Sequence, residues 1–125
     1  MIRTLIVDDS PLFLERAVRW LKKEPHLEVV GQAMSGEQAM AQVHALKPEL
    51  VIMDLAMAGL NGIQVAKKIK QEVSPPAVIL ISVHDLAALR KHWTGHVDAV
   101  IGKDRLSSDL STELKAIFPH LRGFT

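Results

Sequence analysis

The chain contains no cysteine, which excludes disulfides, thiolate nucleophiles and Cys-ligated metals. It also lacks long hydrophobic runs. The apolar stretch Leu5-Ile6-Val7 is ended by Asp8 and Asp9, far short of a secretory h-region. No segment approaches the roughly 18 apolar residues of a membrane span. A surplus of one charge is missing as well: 15 Lys and Arg face 14 Asp and Glu, a formal net charge of +1. Nucleic-acid-binding domains usually gather Lys and Arg on one face, whereas here the charges are mixed along the chain. The expectation is a cytoplasmic protein with neither membrane nor nucleic acid as a direct partner. Repeats, low-complexity tracts and linkers are absent too, so residues 1–125 are expected to form one domain with no output module among them.

What is present is apolar and alternating. Hydrophobic residues make up 48% of the chain, enough for a packed core. Short β-branched runs at 2–7, 27–33, 50–53, 78–81 and 97–101 suit strands buried on both faces. Between them lie segments of helical period. Phe13, Ala17, Trp20 and Leu21 share one face, as do Leu110, Leu114, Ile117 and Leu121. Weaker stripes run through Ala39, Val43 and Leu46, through Ile63, Ala66, Ile69 and Val73, and through Leu86, Leu89 and Trp93. Ser10 before Pro11 reads as an N-cap with proline at the first helical position, and Ser35 with Gln38 has capping-box spacing. Five strands alternating with five helices imply an α/β fold, a doubly wound parallel sheet. At this size the order 2-1-3-4-5, flavodoxin-like, is expected.

In such a sheet the functional crevice lies beyond the C-terminal strand ends, between the first and third strands. The first run ends in Asp8 and Asp9, the third in Asp54 and the fourth in Ser82; Lys103 closely follows the fifth. Three carboxylates brought together repel one another unless a cation intervenes. An oxygen-only donor set points to a hard ion, with Mg²⁺ the usual one beside phosphate. A carboxylate can itself be the nucleophile and form an aspartyl-phosphate. In-line transfer then needs positioning and neutralising charge, which the cation and Lys103 would supply, with a hydrogen bond from Ser82.

Four blocks, Ile6-Val7-Asp8-Asp9-Ser10, the run from Met53-Asp54-Leu55-Ala56-Met57 to Ala58-Gly59-Leu60-Asn61-Gly62, Leu80-Ile81-Ser82, and Lys103, resemble the signature blocks of response-regulator receiver domains. The resemblance runs over nearly the whole chain. It implies that Asp54 accepts a phosphoryl group from a phosphohistidine on a sensor kinase or phosphotransfer protein. It implies that Asp9 and Asp54 ligate Mg²⁺ directly, that Asp8 acts mainly through metal-bound water, and that the Ala56 carbonyl adds a ligand. Ser82 and Lys103 would hold the phosphoryl group. Output would pass through the helix at 86–93, the fifth strand and the last helix, to a second copy, a partner or an output domain. Such a module is a switch, not an enzyme, beyond its own phosphorylation and dephosphorylation.

Four positions depart from the family pattern. Val100 replaces a frequent aromatic three residues before the lysine, so an aromatic rotamer switch is not expected. Val83 follows Ser82 where a small residue is usual, and is expected to narrow access to Asp54. Ala58 replaces a common proline. Asp104 follows Lys103 where proline is frequent, and this Lys-Asp pair resembles regulators carrying a C-terminal helix-turn-helix module.

Each residue taken singly has an ordinary explanation. Asp8, Asp9 and Ser10 suit a helix N-terminus, Asp54 a loop carboxylate, Ser82 a strand-end hydroxyl and Lys103 a solvated surface; Gly59 and Gly62 serve turns. Their conjunction at successive strand ends is what favours chemistry. His92 and His96 are four apart, but Thr94 and Gly95 between them argue against a shared helical metal site. Two other functions fit less well: a receiver-like scaffold acting without phosphorylation, and a Mg²⁺-dependent small-molecule phosphatase.

Overall fold

The computed structural model describes residues 1–57, 62–83 and 97–119. The described chain runs β1 (Ile2–Val7), α1 (Pro11–Leu21), β2 (Leu27–Ala33), α2 (Gly36–Leu46), β3 (Leu50–Asp54), α3 (Gly62–Lys70), β4 (Ala77–Ser82) and β5 (Ala99–Gly102). A 3-10 turn (Lys103–Arg105) then leads into α4 (Leu106–Ile117). All strand pairs are parallel, in the order β2-β1-β3-β4-β5. The expected fold class is therefore the observed one. Four α-helices lie among the described residues. The helix expected at Leu86, Leu89 and Trp93, the His92/His96 pair, and Leu121 lie outside them. So do Ala58, Gly59, Leu60 and Asn61 of the second block.

Strand side chains alternate between faces, and the two cores divide accordingly. Ile2, Ile6, Leu50, Ile52, Ile79, Ile81, Ala99 and Ile101 pack with Leu14, Ala17 and Leu21 of α1 and Leu106, Leu110 and Leu114 at α4. Leu5, Val7, Val51, Met53, Val78 and Leu80 pack with Ala39 and Val43 of α2 and Val65, Ala66 and Ile69 of α3. Burying both faces explains why the central strands read as unbroken apolar runs.

Local chemistry fixes the starts of α1 and α2. Ser10 caps α1, its hydroxyl accepting the Phe13 N–H at 3.2 Å, with Pro11 next. Ser35 caps α2 by accepting the Gln38 N–H at 3.1 Å. Gln38 returns the contact one residue early, its Oε1 accepting the Met34 N–H at 2.8 Å. The stripe through Val73 is corrected: α3 stops at Lys70 and Val73 is fully exposed. Lys70 Nζ there donates to the Pro76 carbonyl (2.8 Å) and to Asp98 Oδ2 (2.7 Å). Asp98 Oδ2 also accepts the Val78 N–H at 2.8 Å, so β5 begins at Ala99, two residues later than the apolar run. Trp20 and Phe13, which share the apolar face of α1, are both only partly buried against the first cluster.

Candidate functional site

Three strands deliver the site by a count of two. On β1, Ile6 is followed on the same side by Asp8. On β3, Ile52 is followed by Asp54. On β5, Ile101 is followed by Lys103. The three isoleucines belong to one core cluster, and the three charged residues continue it at the end of β3 and just beyond the ends of β1 and β5. Lys103 Nζ lies 2.8 Å from Asp8 Oδ2 and 3.2 Å from Asp54 Oδ2. Asp8 is completely buried and Asp54 is 5% exposed.

The surroundings of each charge set its protonation. Burial is the main influence on Asp54 and lifts its carboxyl above the ordinary range, with Asp8 adding to the lift. The Ala56 N–H, donated to Asp54 Oδ1 at 3.1 Å, and the Lys103 ammonium oppose it without cancelling it. For Lys103, burial disfavours the ammonium, but Asp8 and Asp54 outweigh that and hold it above its ordinary value. Asp8 Oδ1 accepts the Ser10 N–H at 2.8 Å. Asp8 Oδ2 is buried, and the Lys103 ammonium at 2.8 Å compensates its charge.

Asp9 stands beside this pair, exposed at the rim. One oxygen each from Asp8, Asp9 and Asp54 can be chosen so that all lie within 4.8 Å of one another. Carboxylate oxygens from three residues, two of them buried, form an all-oxygen cluster that fits a hard divalent cation. Ser82 is buried at the end of β4. It pairs in register with Gly102, one step beyond Ile81, the partner of Asp54, so it stands at the same sheet edge. Ala56 is exposed at that edge. Val83 is 75% exposed, so its side chain is not packed into the site. Val100 packs against the α2–α3 core, an ordinary aliphatic role.

Two residues that the sequence marks only as structural also stand at the site. Gly62, read as a turn glycine, touches the backbone of Asp54 and Leu55. A Cβ there would stand 2.6 Å from the Asp54 carbonyl oxygen. Phe13, on the apolar face of α1, has its ring 4.4 Å from Lys103 Nζ, centroid to nitrogen. The available signal was an aromatic in the first turn of a helix that starts at the site.

The family model of the response regulator receiver domain matches residues 4–115. The chain belongs to that family. As a receiver domain it resembles the positive alginate biosynthesis regulatory protein of Pseudomonas aeruginosa, with 37% identity over 91% of this chain and 46% of that protein. It also resembles a protein-glutamate methylesterase/protein-glutamine glutaminase of Anaeromyxobacter dehalogenans, 43% identical over 66% of this chain and 24% of that protein. The chain thus spans less than half the length of these curated relatives. Among solved structures, the signal receiver domain of the putative response regulator NarL from Mycobacterium tuberculosis superposes with a TM-score of 0.79 at 32% identity, covering 98% of this chain and 97% of that one. A two-component response regulator of the LuxR family from Aurantimonas sp. gives 0.83 at 25% identity, covering 98% and 88%. Among the described residues no helix is long and apolar enough to cross a membrane.

Proposed function

We propose that this receiver domain is the phosphoacceptor switch of a two-component system, with Asp54 as the acceptor. The observation that carries this reading is the convergence of Asp8, Asp54 and the Lys103 ammonium at one sheet edge, with Lys103 Nζ within 3.2 Å of both carboxylates. The donor is a phosphohistidine on a sensor histidine kinase or phosphotransfer protein. An Asp54 carboxylate oxygen attacks phosphorus, the P–N bond breaks, and the histidine leaves with the bonding electron pair. Lys103, held above its ordinary pKa, stays cationic and neutralises charge on the transferring group. Ser82 donates a hydrogen bond to a phosphoryl oxygen.

Asp8, Asp9, Asp54 and the Ala56 carbonyl are the groups that would hold Mg²⁺. When bound, Mg²⁺ supplies the remaining positive charge against the phosphoryl oxygens. The chain turns over no external substrate; it gains and loses its own phosphoryl group in the cytoplasm. Residues 1–125 act as one domain. Phosphorylation shifts a two-state equilibrium that a second copy, a partner or an output domain reads.

The test is intact-mass spectrometry after incubation with acetyl phosphate and Mg²⁺. One phosphoryl group is expected on the wild type and none on Asp54→Asn or without Mg²⁺. Modification that persists in Asp54→Asn would place the acceptor elsewhere. No modification from acetyl phosphate or from a phosphohistidine donor would leave the phosphorylation-independent scaffold as the better reading.

A further inference from the structure

Lys103 is gripped from three sides. Two of its partners are the acids, and the third is the face of Phe13 at 4.4 Å. Phe13 is itself tied to Asp8 through the chain. Asp8 Oδ1 accepts the Ser10 N–H, and Ser10 Oγ accepts the Phe13 N–H. Lys103 closes the circuit from the ring back to Asp8 Oδ2. One carboxylate therefore fixes both the ring, through the start of α1, and the ammonium that lies over it.

This geometry has a use. Asp8 and Asp54 are shared between Lys103 and the proposed cation, and a cation drawing on both acids weakens their hold on the ammonium. An aromatic face is neutral and attracts only through its quadrupole. The ring also keeps water from one side of an ammonium whose side chain is 18% exposed. We infer that Phe13 is a positioning residue for phosphoryl transfer, holding the Lys103 ammonium over the acceptor by a cation–π contact that the acids alone would not maintain. The inference rests on the function proposed above.

The experiment replaces Phe13 by 4-fluoro-, 3,5-difluoro- and 3,4,5-trifluorophenylalanine, which drain the ring quadrupole while nearly preserving shape; Phe13→Leu removes the ring. Phosphorylation by acetyl phosphate is followed at several donor and Mg²⁺ concentrations. Lys103 Hε resonances are read by NMR in the metal-free protein. The saturated rate is expected to fall stepwise along the series, by roughly 2- to 30-fold in all, with half-saturating donor and Mg²⁺ concentrations unchanged. The upfield ring-current shift of Lys103 Hε should persist in the fluorinated proteins and vanish in Phe13→Leu. A flat rate series, or no upfield shift in the wild type, overturns the inference while the functional reading stands. A wild type that accepts no phosphoryl group from any donor overturns both.

Discussion

The backbone of Gly62 lies directly against that of Asp54: a Cβ at Gly62 would meet the Asp54 carbonyl oxygen at 2.6 Å and the Leu55 Cα at 2.9 Å. The Gly62 N–H also donates to the Leu55 carbonyl at 2.7 Å. These neighbours are backbone atoms and cannot swing aside. Gly62→Ala is therefore expected to push β3 and α3 apart at the acceptor. A loss of about 1–3 kcal/mol, the usual range for overpacking, is expected in urea melts. A fall in the rate of phosphoryl acceptance should accompany it. Wild-type values for both would show that the loop absorbs the methyl group elsewhere.

Asp54→Asn is expected to stabilise the metal-free protein at neutral pH. The carboxyl is raised above its ordinary range in the folded state, first by burial. The folded protein then holds this proton more tightly than the unfolded chain does. The stabilisation is fully present below the unfolded pKa and is lost as pH rises through the higher folded one. Above both values the ionised carboxylate is a net cost, which asparagine removes. Thermal melts in a chelator from pH 4 to 8 should show the variant's advantage growing with pH. Mg²⁺ should raise the wild-type melting temperature more than that of the variant.

Lys103→Met tests the pair from the other side. Asp8 is fully buried, and removing its cation leaves an uncompensated carboxylate. Breaking a buried pair costs about 3–5 kcal/mol; the partial exposure of Lys103 argues for the lower end. Calorimetry of the metal-free variant should show this loss, and Mg²⁺ should recover more of it than it adds to the wild type. Equal Mg²⁺ responses would mean that cation and ammonium do not share Asp8.

Asp98→Ala should loosen the far end of the sheet. It removes the acceptor of the Val78 N–H and the partner of Lys70, a loss of about 1–3 kcal/mol. Hydrogen exchange should quicken at the Val78 amide first, with Asp98→Asn intermediate.

The fold was legible because its signals agree. Both serine caps, the prolines and the five apolar runs point to one parallel sheet, and strand pleating then brings Asp8, Asp54 and Lys103 to one side. Residues whose role depends on a partner distant in sequence were less legible. Phe13 satisfies the apolar stripe of α1 equally well as core or as the seat of a cation, and only the position of Lys103 distinguishes the two. Gly62 looks like any turn glycine until the Asp54 carbonyl is found beside it. Val73 continued the helical stripe by spacing alone. The Lys70 ammonium, bonded to Pro76 and Asp98 where α3 ends, is a long-range contact that no periodicity encodes.

The even count along β1, β3 and β5 makes the sheet a ruler for the site. Inserting a single residue in the middle of β3 would turn Asp54 towards the α2–α3 side and leave Lys103 facing a gap, even if every strand still paired. The site thus inherits its frame from the core beneath it. Point substitutions can retune its chemistry, but small insertions and deletions within these strands are closed to it, and length variation is confined to the connections.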